Sequence, residues 1–196
     1  MIMGVLPRSF YERDPAIVAK ELLGKILVRR LGSEFLSGKI VETEAYYGEN
    51  DPASKAYKGR KEFNALMFFD VGKAFIYMVH GNWLLNIVAH IRGGVGAVLI
   101  RALEPMEGVE TMQRNRKTKS LNKLTSGPGM LTKALAINKA LNGVDVTEAG
   151  SELLIIEGEN GNFQIGSSQR IGVKMDLPQN LRFFIKENKF VSKASR

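Results

Sequence analysis

The 196-residue sequence predicts an α+β fold, a single compact domain over residues 1–196 in which a curved, mostly antiparallel sheet carries peripheral helices. Strand-like and helix-like segments are interspersed without the regular βαβ alternation of a parallel sheet. Apolar residues make up 44% and charged residues 24%, the balance of a globular chain. A chain of this length can bury roughly 70% of its unfolded surface, enough for a core without staples.

The elements follow from local chemistry. Asp14-Pro15, then Ala-Ile-Val-Ala-Lys-Glu-Leu-Leu and Gly24, reads as a capped helix. Asp14 can accept from orphan N–H groups, Pro15 suits the first helical position, and Gly24 can close the far end. The segments 25–31 and 37–46 are β-rich and flank Gly32-Ser33-Glu34, which predicts a hairpin. Further strands are expected over 74–79, 96–103, 153–157 and 181–187. Helical spacing follows Pro105 and Pro128. In the second helix, Met130, Leu131, Ala134, Leu135 and Ile137 would form an inward stripe running on to Asn142-Gly143. Residues 117–124 and the tail 192–196 are expected to be flexible.

Composition excludes several classes of function. There is no cysteine, so no disulfide frame, thiolate nucleophile or cysteine metal site. His80 and His90 are the only histidines and lack the spacing of a zinc pair, so a His-rich metal site is not expected. Apolar runs such as 65–69 and 74–79 are too short to span a bilayer, so no membrane partner is expected. The first residues carry Arg8, Glu12, Arg13 and Asp14 without an apolar signal core, which predicts a cytoplasmic protein, nucleoid-associated in a prokaryote. Lys+Arg exceed Asp+Glu by 28 to 20, giving a formal charge of +8. Excess cation favours a polyanionic partner. No acidic residue lies between Glu110 and Asp145, where Arg114, Arg116, Lys117, Lys119, Lys123, Lys133 and Lys139 fall. A second basic cluster is Lys55, Lys58, Arg60 and Lys61. Both read either as solvated surface or as a phosphate-binding face.

The stretch Gly38-Lys39-Ile40-Val41-Glu42-Thr43-Glu44-Ala45-Tyr46-Tyr47-Gly48 holds the most chemistry. Strand alternation would put Ile40, Glu42, Glu44 and Tyr46 on one face. That face is either the solvent side of an edge strand or a pocket wall carrying a general base beside an aromatic ring.

Three more islands stand beside it: 75–83 (FIYMVHGNW), 98–105 (VLIRALEP) and 124–135 (LTSGPGMLTKAL). In this order, with Leu22-Leu23-Gly24 and Arg182-Phe183-Phe184-Ile185, the chain resembles the alkyladenine (methylpurine) DNA glycosylase family over roughly residues 16–191. The resemblance implies an enzyme, a hydrolase of N-glycosyl bonds in DNA repair. It would flip alkylated or deaminated purines from damaged duplex DNA, excise them and leave an abasic site, chemistry that needs no metal or organic cofactor. Nothing in the sequence demands more than a monomer. Glu44 matches the family's catalytic glutamate, with Glu42 structural. Arg101 matches the arginine that helps hold the attacking water, although on charge alone it could pair with Glu42 or Glu104. Ile171 falls where a main-chain carbonyl holds the same water. Tyr46 and Tyr77 match the walls of the base pocket, where stacking favours electron-poor or cationic purines. Packing in the core is the alternative for Tyr77. Ala53, Asn86 and Leu99 are further pocket candidates. His80 and Gly81 fall at the family's wedge position, and Arg60, Lys61, Arg114 and Arg116 are candidates for DNA phosphates.

The chain departs from the family pattern in places. Asp51-Pro52-Ala53-Ser54 is followed by Lys55 where the family usually has a histidine. The backbone N–H survives that change, but the imidazole is replaced by a cation with no acceptor. Water placement would then differ, and Lys55 could contact a phosphate or attack the sugar as an amine and add lyase activity. His80 replaces a wedge tyrosine, with Asn82 and Trp83 beside it, and Phe63 stands where an arginine is expected. A scaffold that binds nucleic acid without catalysis is the alternative from another class.

Overall fold

The computed structural model describes residues 4–158 and 161–193. Two short helices, α1 (Arg8–Tyr11) and α2 (Pro15–Glu21), lead into the sheet. Asp14 caps α2 as its chemistry requires, accepting from the N–H groups of Ala16 (2.8 Å) and Ile17 (3.4 Å). The strands β1 (Ile26–Leu31) and β2 (Glu34–Tyr46) form the expected hairpin, tighter than expected because Leu31 already pairs with Glu34 across Gly32-Ser33. β3 (Ala74–Val79) and β4 (Asn82–Val88) form a second hairpin around His80 and Gly81, both at positive φ (46° and 77°). β5 (Ala97–Pro105) follows, then α3 (Val109–Arg116) and α4 (Pro128–Ala134), and finally β6 (Leu153–Ile156), β7 (Ile165–Ser168) and β8 (Arg182–Ile185).

Every strand pair is antiparallel. The main path is β3-β4-β5-β2-β1-β6, and β8, with β7 beyond it, joins β2 where β1 has ended. β2 is the axis. Its first half pairs with β1 from Glu34 to Lys39, its second half with β8 from Glu42 to Glu44, and β5 runs along its other edge. One face of the sheet builds the main core, with Ile76, Leu85, Ile87, Val98 and Ile100 packed with Val18, Ala19 and Leu131 from the helices. The hydroxyl of Thr43 donates to the carbonyl of Ala19 at 2.7 Å and ties β2 to α2 on that side.

Several sequence expectations change. Residues 82–88, not expected as a strand, form β4, because pairing with β3 and β5 supplies what its mixed composition does not advertise. The second helix ends at Ala134, not near Gly143: Ala136 turns to φ 52°, and a separate 3₁₀ turn covers Lys139–Leu141. Met130 faces outward, while Leu131, Ala134, Leu135 and Ile137 are buried. Of residues 117–124, expected to be flexible, 119–123 are exposed, but the far end is tied down: Leu124 is fully buried and Arg116 donates to the carbonyls of Leu124 (3.1 Å) and Lys123 (3.3 Å). Ser192, placed in the flexible tail, is buried and bonded, while residues 194–196 lie outside the described residues.

Candidate active site

The site is built on the other face of the sheet. Strand alternation puts Glu42, Glu44 and Tyr46 there, and the register brings Leu99 opposite Glu44 and Arg182 beside it. Ile40 does not share this face; with Val41 it belongs to the main core. The cause is a double irregularity. Glu42 pairs with Ala102 two residues after Ile40 pairs with Leu103, which leaves Val41 as an extra residue on β2. Thr43 then pairs with Ile100, which leaves Arg101 as the extra residue on β5. Bulges of this kind re-aim side chains at the cost of local pairing, and here the re-aimed side chain is Arg101.

Glu42 and Glu44 are both fully buried, so the solvent-facing edge strand is ruled out. Burial of two carboxylates is tolerable only when cations and donors satisfy them. Glu42 accepts from Nε of Arg101 (2.9 Å), Nε of Arg182 (2.7 Å), and both the N–H (2.7 Å) and Oγ–H (2.8 Å) of Ser192. Glu44 accepts from the N–H of Ile171 (2.8 Å) at one oxygen, and from the Tyr46 hydroxyl (2.8 Å) and Arg101 Nη1 (3.2 Å) at the other. Arg101 thus bridges the two carboxylates and does not pair with Glu104, which is held instead by Lys39 and Asn188. Two anions and two guanidiniums balance.

The ionisation of Glu44 follows from this setting. Burial pushes its pKa up; Arg101, the Ile171 N–H and the Tyr46 hydroxyl pull it back without cancelling the rise. Burial acts against the Arg101 guanidinium too, but Glu44 and Glu42 outweigh it and hold it protonated. Burial, with the charge of Glu44, raises Tyr77 to about 12 and Tyr46 well above its ordinary 10, so both rings stay neutral.

In front of this network lies a cavity of about 480 Å³, within the roughly 300–1,000 Å³ typical of small-molecule sites. Tyr46, Tyr77, Leu99, Arg101, Ile171, Ala53, Lys55 and His80 line it, so eight of the sequence candidates converge on one space. Glu44 sits directly behind three of these residues, its hydrogen-bond donors Tyr46, Arg101 and Ile171. Tyr77 is a wall and not only a core residue, although its ring also packs at 5.0 Å against Phe75.

Other candidates stand elsewhere. Asn86 is buried behind the wall, with its amide donating to the carbonyl of Phe75 at 3.2 Å, and it does not line the cavity. Gly81 shapes the hairpin tip without lining the space. Arg60 stacks over Phe69 at 4.4 Å, and Lys61 caps a 3₁₀ turn over Glu62–Phe68. Phe63, in that turn, is exposed. Arg114 lies 3.9 Å from Glu34, and Arg116 spends its guanidinium on main-chain carbonyls. All four basic residues lie outside the cavity.

Sequence reasoning gave no role to three features of the site. The segment Ser126-Gly127-Pro128-Gly129 forms one rim, and a Cβ on Gly129 would meet Asn82 at 2.7 Å, so only glycine admits the hairpin tip so near. Ser192 and Lys193 supply another part of the wall. Arg170, fully buried, holds Asp51 through two 2.7 Å bonds and Asp176 at 2.5 Å while lying 4.5 Å from the Tyr46 ring centroid. The Ser-Gly-Pro-Gly run was a visible signal; Arg170 left none, because its partner Asp51 lies 119 residues away.

A buried carboxylate whose partners line a cavity walled by two aromatic rings has the features of an enzyme pocket that could admit a flat ring. The family model for methylpurine-DNA glycosylase matches residues 9–189. A protein of Carboxydothermus hydrogenoformans, named for 3-methyladenine DNA glycosylase, is 46% identical over 191 residues, covering 96% of this chain and 99% of its own. One of the same name from Aeropyrum pernix is 43% identical over 192 residues, covering 97% and 94%. The chain belongs to the methylpurine-DNA glycosylase family. It is a DNA repair glycosylase, a hydrolase of N-glycosyl bonds.

Proposed function

We propose that this glycosylase receives a flipped purine lesion, of the 3-methyladenine or hypoxanthine kind, between Tyr46 and Tyr77 and hydrolyses its bond to deoxyribose through Glu44. Extrusion is required because the target bond is stacked inside the duplex. Water attacks the anomeric carbon, its proton passes to Glu44, and the N-glycosyl electron pair leaves with the purine, giving an abasic site. The carboxylate also offsets positive charge on the sugar as the bond breaks. Arg101 and the main-chain carbonyl of Ile171 hold the water. Ala53 and Lys55 contact the base through the loop backbone, and Leu99 closes the floor. His80, exposed at the hairpin tip and on the cavity rim, is the wedge that fills the vacated stack, with Gly81 allowing its turn. Arg60 and Lys61 face the phosphates. Asn86 supports the Tyr77 strand from behind.

The observation that carries this reading is Glu44, fully buried and elevated in pKa, with all three of its donors on the wall of a base-sized cavity. The same observation argues against a module that only binds, since a spent scaffold has no need of two buried carboxylates. The DNA substrate supports a cytoplasmic, nucleoid-associated location, and no helix among the described residues is long and apolar enough to cross a membrane.

Glu44→Gln tests the assignment. Single-turnover release of hypoxanthine or an alkylated adenine from duplex oligonucleotides is expected to fall by at least about 10³-fold. Affinity for the damaged duplex should change little. Release at the unsubstituted rate would overturn the role of Glu44.

A further inference from the structure

The cations around the base pocket are not all paired. On the sugar side, Glu42 and Glu44 are matched by Arg101 and Arg182. Under Tyr46, Arg170 lies between two carboxylates, Asp51 and Asp176. Lys193, on the cavity wall, forms no ion pair among the described residues. Lys55 has no such partner either. It lines the cavity with its Nζ 5.1 Å from the Tyr77 ring centroid, and among the described residues it forms no ion pair.

The loop holds Lys55 in place. Asp51 accepts from the N–H of Ala53 (3.1 Å), Ser54 Oγ accepts from the N–H of Ala56 (3.0 Å), and Asn64 donates to the carbonyl of Lys55 (2.7 Å). Asp51 is in turn clamped by Arg170. The ammonium is thus carried on a fixed backbone, and it already occupies the cation–π position on Tyr77. Arg170 occupies the corresponding position on Tyr46.

Resting on the Glu44 reading above, we propose that Lys55 is a specificity-determining residue that turns the pocket toward neutral lesions bearing an oxygen acceptor, 6-oxopurines above all, and away from cationic N-alkylpurines. Two effects act in the same direction. A cationic base meets a like charge at the ring it must stack on, and both rings have their quadrupoles engaged. A neutral purine leaves with the electron pair of its N-glycosyl bond and so builds negative charge that the ammonium stabilises; a cationic purine leaves neutral and gains nothing. The base that was neutral in the nucleotide departs as an anion and becomes neutral by taking a proton from solvent.

The test compares hypoxanthine with 7-methylguanine, one neutral and one cationic, in the same duplex sequence. Single-turnover kcat/KM is measured for the unsubstituted enzyme, Lys55→Met and Lys55→Arg. Lys55→Met should lower the hypoxanthine-to-7-methylguanine ratio about tenfold or more, and Lys55→Arg, which keeps the charge, should retain it. An unchanged ratio in Lys55→Met overturns the inference while leaving Glu44 in place. A covalent adduct trapped by borohydride would also overturn it, because the amine would then be acting on the sugar. Release of neither base by the unsubstituted enzyme would count against the Glu44 reading instead.

Discussion

In the role proposed for it, Glu44 must be a carboxylate to take a proton from water, yet its burial favours the neutral acid. Arg101, the Ile171 N–H and the Tyr46 hydroxyl recover part of that cost and leave the pKa above the ordinary 4.5. Because the proposed role needs the deprotonated form, base release should rise with pH through a midpoint above the ordinary glutamate value. For the same group the effect on stability has the opposite sense. A raised folded pKa favours the fold fully below the unfolded value, and that contribution is lost as pH rises through the folded value. A single-turnover pH profile with its acid limb at or below the ordinary glutamate value would contradict the buried setting. Tyr46 and Tyr77 stay neutral well into the alkaline range and add no limb near neutrality.

At the scale of elements, the device that assembles the site is the pair of bulges between β2 and β5. They let β2 give Ile40 and Val41 to the core and then turn Glu42 and Glu44 to the cavity side, with Arg101 aimed between them. α3 is joined to β2 by a tight approach at Gly108, where φ is 71° and a Cβ would meet the carbonyl of Phe35 at 2.7 Å. The helix exposes Arg114, while Lys117 and Lys119 are exposed just beyond its end, and Arg116 is consumed as a clamp for Lys123 and Leu124. These residues should therefore separate experimentally. Neutralising Arg114, Lys117 and Lys119 together should flatten the salt dependence of duplex binding, by about 0.9 in log–log slope for each phosphate that is no longer neutralised. Arg116→Ala should leave the slope alone and lower the melting temperature. A slope unchanged by the triple substitution would assign the basic segment to solvent.

For the whole molecule, the loop from residue 47 to 58 is fastened to the segment around residue 170 by one buried ion cluster, Arg170 with Asp51 and Asp176. Burial acts against the Asp51 carboxylate, but its bonds from Arg170 and from the N–H groups of Tyr47 and Ala53 outweigh that and lower its pKa. Asp145 is lowered as well: burial opposes its ionisation, and Thr147, Lys73 and Arg8 overcome it. Both lowered values stabilise the fold above the unfolded aspartate range, and that stability is lost as pH falls through the folded values. Arg170→Met should cost about 3–5 kcal/mol at pH 7, since it leaves Asp51 buried without its cation. The difference from the unsubstituted protein should shrink as acid protonates Asp51. Urea midpoints at pH 7 and in acid check both the size and the trend; a loss that does not shrink in acid would show that packing, not charge, is what Arg170 supplies.

The features legible in the order of residues are short in range. The Asp14-Pro15 cap, the hairpin around Gly32-Ser33, the strand at 74–79 and the ordered islands around Glu44, Arg101 and the Ser-Gly-Pro-Gly run are all properties of neighbouring residues, and they point to the α+β class and the family. Alternation alone left Glu42 and Glu44 open to solvent or pocket, and it misjudged Ile40, because a bulge depends on pairing with a second strand. Long-range closure settles the rest. The burial of the glutamates, the tie of Ser192 to Glu42 across 150 residues, and the grip of Arg170 on Asp51 across 119 exist only once distant segments close on β2. The physical reason is that periodicity records which face a side chain takes, while burial and ion pairing depend on what the folded chain brings against that face.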